Sequence, residues 1–272
     1  MVRKIAIGVA AVVVIVIALV AFYVFRPPAQ ASGPIQAIPI GTSAAATSAP
    51  AATAAAATSA PAAEATTGAA TSAPVAAATS ESATSTPAEA AAGAPVVFEI
   101  VSAESEARFL IDEVLRGNPV TVVGKTDQVA GQIAIDPSNP QNSQVGIIQV
   151  DVRALATDNE FRNRAIKNAI LRTDDFEYVS FKPTAITGLP EKGAVGQSYT
   201  FQIQGDLTIT DVTKPVTFDV TATAESETRL KGTATASFPY RDFNLNIPDS
   251  PSVDTVADSV RLELDFVAQP VQ

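Results

Sequence analysis

The side chains that most often do chemistry near neutral pH are missing from this chain. Among 272 residues there is no Cys and no His, and the one Met is the first residue. That removes Ser-His and Cys-His nucleophile pairs, thiolate metal sites and an imidazole base. No disulfide forms, and no metal or cofactor is implied. Carboxylates, Lys, Tyr and Ser remain. The closest carboxylate spacings are Asp112-Glu113 and Asp174-Asp175. Neighbours along a strand point to opposite faces, so neither pair works as acid and base. Two polar clusters are left as candidates. Arg162, Arg164, Lys167 and Arg172 are either the solvated face of a helix or contacts for an anionic head group. Tyr240, Arg241, Asp242 and Phe243 form either an end plug or a ligand contact.

The elements that would position these groups alternate with period 2. Tyr199, Phe201, Ile203, Leu207 and Ile209 face one way, as do Val260, Leu262, Leu264 and Phe266. Shorter runs of the same kind occur at 107–111, 131–135, 146–152, 179–186, 216–223 and 229–237. Strands with one apolar face, joined by short polar breaks, predict an antiparallel sheet folded into a barrel or sandwich. One segment, NEFRNRAIKNAIL from Asn159 to Leu171, has helical spacing, with Asp158 as its expected N-cap.

Two segments precede this domain. From Ile5 to Phe25 every residue is apolar or Gly, a length that suits a hydrocarbon core of roughly 30 Å. Arg3 and Lys4 precede the run and Arg26 follows it, which predicts a single transmembrane helix with its start inside and the rest of the chain extracytoplasmic. The competing reading is a signal peptide cleaved after Ala29-Gln30-Ala31, which would leave a secreted protein. Residues 1–26 are thus read as the anchor and 27–95 as a disordered linker of Ala, Thr, Ser and Pro. In the linker TSAP recurs at Thr47, Thr58 and Thr71. Residues 96–272 are read as the folded domain, long enough for one substantial core. All of the net charge of -10 falls in that domain, which argues against nucleic acid as a partner.

At Gly205 to Val220 the sequence GDLTITDVTKPVTFDV reads as a hairpin turning over Thr210 to Lys214. It resembles the signature hairpin of the YceI-like domain family, with Asp211 where that family usually has Gly and Thr210 where it often has His. SEARF at Ser105, VVGKTDQVAGQI at Val122, NEFRNRAI at Asn159, LRTDDFEYVSFKPT at Leu171 and RDFNL at Arg241 follow the same pattern in order. The resemblance covers residues 96–272. It implies an all-β, lipocalin-like antiparallel barrel of about eight strands with one short helix, holding a polyisoprenoid or other fatty amphiphile without converting it. On that reading Phe109, Ile148, Val150, Phe181, Phe201, Ile203, Phe218, Val220, Leu264 and Phe266 face the ligand, and Arg164, Arg172 and Tyr240 are head-group contacts. Periodicity alone gives the ten apolar residues a filled core as readily as a lined cavity. The rival classes are a stalked adhesion or scaffold module with a filled barrel and a carboxylate-dependent hydrolase. The residues do not set an oligomeric state.

Overall fold

A computed structural model describes residues 26–41 and 95–271. The predicted membrane span and most of the predicted linker lie outside the described residues; among these, no helix is long and apolar enough to cross a membrane.

The domain is one antiparallel sheet of twelve strand segments. These are β1 (Val96–Ile100), β2 (Glu106–Leu115), β3 (Asn118–Thr126), β4 (Val129–Ala130), β5 (Gln132–Ile135), β6 (Gln144–Val145), β7 (Ile148–Asp151), β8 (Tyr178–Thr187), β9 (Ser198–Ile209), β10 (Val212–Ser226), β11 (Arg229–Pro239) and β12 (Val253–Pro270). Their order is β4-β7-β8-β9-β10-β11-β12-β1-β5-β6, with β2 and β3 paired off β12. Only Gly131 separates β4 from β5, and its carbonyl accepts a hydrogen bond from the Ile100 amide at 2.9 Å. The two ends of the path therefore meet, and the sheet curls into a barrel. β12 makes this possible through its length of 18 residues, pairing with β2 along one stretch and with β1 along another.

The twelve segments amount to the expected eight strands: β1 and β2 run in succession along β12, β3, β4 and β5 run in succession against them, and β6 continues into β7. β1 and β3 were not legible as strands. β3 begins NP and presents only Val122 as a large inward side chain, followed by Gly124 and Thr126, so its alternation is weak.

Two local details differ from the sequence reading. The predicted helix exists as α1 (Glu160–Ala165), extended by a π-helical turn over Ile166–Ile170. Its N-cap is Asn159, whose side chain accepts from the amides of Phe161 and Arg162, whereas Asp158 pairs with Arg162. The β9–β10 turn is also tighter than expected, because Ile209 and Val212 already pair. Thr210 takes the left-handed conformation there, with φ 55°, which a β-branched residue rarely adopts.

Residues 26–41 do not lie free, although all but Arg26 fall at the start of the predicted linker. They form a strap held on the outside of the domain, beginning beside the end of α1. The Arg26 carbonyl accepts from Asn168 at 2.9 Å, and its guanidinium pairs with Asp174. The Ala29 amide donates to Asp174 at 3.0 Å. Both the amide and the hydroxyl of Ser32 donate to Glu177 at 2.7 Å. Further along, the Ile40 amide donates to the Gln132 side chain at 3.0 Å, and Ile40 packs over Gly146.

Candidate ligand-binding cavity

Inward rows of the curled sheet enclose a cavity of about 910 Å³. Its wall is almost entirely aliphatic and aromatic. Because a strand alternates faces, one turn of register fixes each row: the β9–β10 pairing sets Ile203 opposite Phe218 and Phe201 opposite Val220. All ten apolar residues singled out in the sequence lie on the wall. Phe181, Ile203, Val220 and Phe266 are buried, while Phe109, Ile148, Val150, Phe201, Phe218 and Leu264 are half-buried and face open space.

Three phenylalanines explain why the space stays open. Phe109, Phe181 and Phe266 each lie across an inward-facing glycine, respectively Gly124, Gly205 and Gly232. A Cβ at these glycines would come within 2.1, 2.6 and 2.6 Å of the ring atoms. With no side chain beneath them the rings lie flat along the wall instead of projecting into the lumen, a close fit that only glycine allows. Phe218 meets the edge of Phe181 with ring centroids 4.8 Å apart, fixing that part of the wall.

The two ends of the cavity differ. Every wall residue that is also exposed lies at one end, in Val96, Pro137, Gly193, Ala194, Val195 and Ser226 to Thr228. This is the mouth, formed by the loops after β5, β8 and β10. At the other end α1 and its π turn cover the opening with Ile166, Ile170 and Leu171, beside Leu155 and Tyr240. The polar member of this plug is Arg162, which pairs at 2.9 Å with Glu113 on the inward row of β2. Glu113 is only 8% exposed.

This geometry rearranges the head-group candidates. Neither Arg164 nor Arg172 is on the wall; Arg172 turns outward to Asp211 at 2.9 Å and stacks on Phe176. Tyr240 does reach the wall but is buried at the closed end, with Arg241 over its ring. The residues that sequence reasoning missed are Glu113, Arg162 as an inward group, and the mouth residues Tyr199 and Arg229. Glu113 on an inward row was a usable signal, since a carboxylate there needs a cation. Arg229 carries no pattern of its own, being held by Glu104 and Glu225 from separate segments.

No two carboxylates converge on the cavity among the described residues. Glu113 is at the closed end, Glu227 is at the mouth, and Glu263 is engaged by Arg108 and Arg261. Nor do the described residues gather three acidic groups able to hold a metal ion.

Comparison with known proteins agrees with this architecture. A protein named UPF0312 from Shewanella baltica is 26% identical over 157 residues, covering 56% of this chain and 75% of the relative. A protein of the same name from Shewanella denitrificans is 25% identical over 159 residues, with the same coverage. Among solved structures, a polyisoprenoid-binding domain from Saccharophagus degradans, implicated in plant cell wall breakdown, superposes with a TM-score of 0.52 at 13% identity. It covers 65% of this chain and 99% of that one. BcnA from Burkholderia cenocepacia gives a TM-score of 0.50 at 20% identity, covering 62% and 99%. These two show the shared fold. The YceI-like domain itself is matched across residues 98–268, from β1 to the end of β12, and the chain belongs to the YceI-like domain family.

Proposed function

We propose that this protein is a membrane-tethered, extracytoplasmic binding protein that holds a polyisoprenoid or another long-chain amphiphile and does not convert it. The observation that carries this reading is the apolar cavity of about 910 Å³, open at one end only. Ligand pockets run from roughly 300 to 1,000 Å³, so this one is large, and a wall with so few polar groups suits a chain of hydrocarbon. Each CH₂ moved from water into such a wall contributes about 0.8 kcal/mol before ordering costs. The tail lies along the barrel axis against Phe218, Phe201 and Leu264, and the polar head stays at the mouth beside Tyr199 and Arg229. Kinship with a fold that in Saccharophagus degradans is a polyisoprenoid-binding domain favours an isoprenoid over a straight chain. The apolar run before Arg26 supports the tether, and its flanking charges support the extracytoplasmic side.

Native mass spectrometry of the full chain, released from membranes in mild detergent, tests this reading. The expected spectrum shows a retained lipid of defined mass. A chain that carries none, and that takes up neither a polyprenyl phosphate nor a fatty acid, would leave the scaffold reading in its place.

A further inference from the structure

The strap decides which end of the barrel meets the membrane. Arg26 directly follows the apolar run Ile5 to Phe25, so the proposed anchor leaves the bilayer at the strap's first residue. That residue is fixed at the closed end of the barrel, through Asn168 and Asp174. The strap then climbs away from α1, past Glu177, to Ile40 at Gln132. From the strap geometry we infer, resting on the anchored reading above, that the α1 end of the barrel sits on the surface of the anchoring bilayer and the cavity mouth points away from it.

The chemistry of that end suits a bilayer surface. At this end Arg153, Arg162 and Arg172 are held by carboxylates, while Arg164 and Lys167 on the helix and its π turn are in no ion pair among the described residues. Basic groups at the surface of a membrane are drawn to anionic head groups. Phe161, on α1, is 69% exposed at the same end, and an aromatic ring is favoured at head-group depth. Contact with the bilayer thus lies at the plugged end, where Arg162 and Glu113 close the cavity. The mouth loops stand at the far side, since β9 alone runs 12 residues, about 40 Å along the strand at roughly 3.4 Å each. A lipid in the cavity therefore exchanges with an acceptor facing the mouth, not with the bilayer beneath the plug.

The absence of Cys makes the test direct, because one introduced thiol gives one label. Asp175→Cys marks the α1 end and Lys192→Cys marks the loop at the mouth; both sites are exposed and off the cavity wall. Each full-length variant is labelled with a fluorophore and reconstituted in phosphatidylcholine vesicles with phosphatidylglycerol and a nitroxide-bearing lipid. Strong quenching at 175 with none at 192 is the expected result. Adding Arg26→Ala, which removes the guanidinium–Asp174 pair at the strap's first residue, together with Glu177→Gln, which weakens the hold on Ser32, should narrow the difference between the two sites. Equal quenching, or stronger quenching at 192, with the chain retained in the vesicles overturns the orientation alone. A chain recovered free of the vesicles, or one that begins at Ser32, overturns the anchor and the orientation with it.

Discussion

Phe109 lies across Gly124 on the neighbouring strand, so close that a Cβ on Gly124 would stand 2.1 Å from the ring. The pair shows how the barrel keeps a lumen while packing its wall: the glycine gives up its side chain and the ring fills that place. Gly124→Ala should rotate Phe109 off the wall and into the cavity, at a cost of about 1–3 kcal/mol for the crowding. Lipid affinity should fall as well. Phe109→Leu added to Gly124→Ala should recover much of both losses, and a double-mutant cycle on melting and on lipid uptake measures that coupling. Additive effects of the two changes would show that ring and glycine act independently.

At the closed end Glu113 and Arg162 form a pair whose members are not equivalent. Glu113 is buried on the inward row, whereas Arg162 also reaches the exposed Asp158 at 2.6 Å. Arg162→Ala leaves a carboxylate in an apolar end with no cation, which should cost about 3 kcal/mol. Glu113→Gln should cost less, because Arg162 keeps Asp158. Replacing both by Leu should come closer to wild type than Arg162→Ala alone. Chemical denaturation of the three variants reads this order directly.

How far the sequence revealed this arrangement depends on the kind of signal each element carries. The β9–β10 hairpin was legible because Phe201, Ile203, Leu207 and Ile209 alternate cleanly and the register then follows. The wall residues were legible as a set, but not their relation to open space: period 2 tells which face a side chain takes and nothing about how far the opposite wall lies. The glycines under Phe109, Phe181 and Phe266 are the physical cause of that space, and they read in sequence only as weak strand positions. The strap was hidden by its neighbours. Ile35, Ile38 and Ile40 are its apolar signal, set in a long stretch of Ala, Thr, Ser and Pro that points to disorder.

The strap should loosen in acid. Burial raises the pKa of Glu177, but the Ser32 hydroxyl and amide and the Arg153 guanidinium outweigh it, leaving the carboxyl below its ordinary value. A carboxyl lowered in the native state contributes stability that is complete above its unfolded value and is lost as pH falls through the native one. Strap docking should therefore hold at neutral pH and fail below the usual carboxylate range. Asp151 works the other way: burial raises its pKa, so its cost to folding is full above that raised value, shrinks as pH falls below it, and is gone below the ordinary carboxylate value. A global melt would mix the two, so the readout must be local. A spin label at the exposed Gln36 should gain mobility in acid, and Glu177→Gln should give the mobile spectrum already at pH 7. An immobile label throughout would mean that the Ser32 contacts do not hold the strap.

Phe218 separates ligand from fold. It lies in the middle of β10 and is half-buried with its edge-to-face partner Phe181 on the cavity wall. Phe218→Asp puts a carboxylate where a hydrocarbon tail would lie. An unpaired charge against hydrocarbon opposes binding by at least about 3 kcal/mol, a factor of roughly 100 in affinity. In the empty cavity, water entering from the mouth hydrates the same carboxylate, and the wall loses only the aromatic contact. The expected result is therefore a dissociation of effects: retained lipid disappears from the native mass spectrum, while the β-sheet circular dichroism and cooperative melting persist with a lowered midpoint. A filled core predicts the reverse, because a charge among packed side chains destabilises the fold itself. Thr217→Asp, on the exposed outer row, changes the charge equally and should leave both readouts as they are. If Phe218→Asp unfolds the domain, or if lipid retention survives it, Phe218 belongs to the scaffold and the tail does not lie against the Phe181–Phe218 wall.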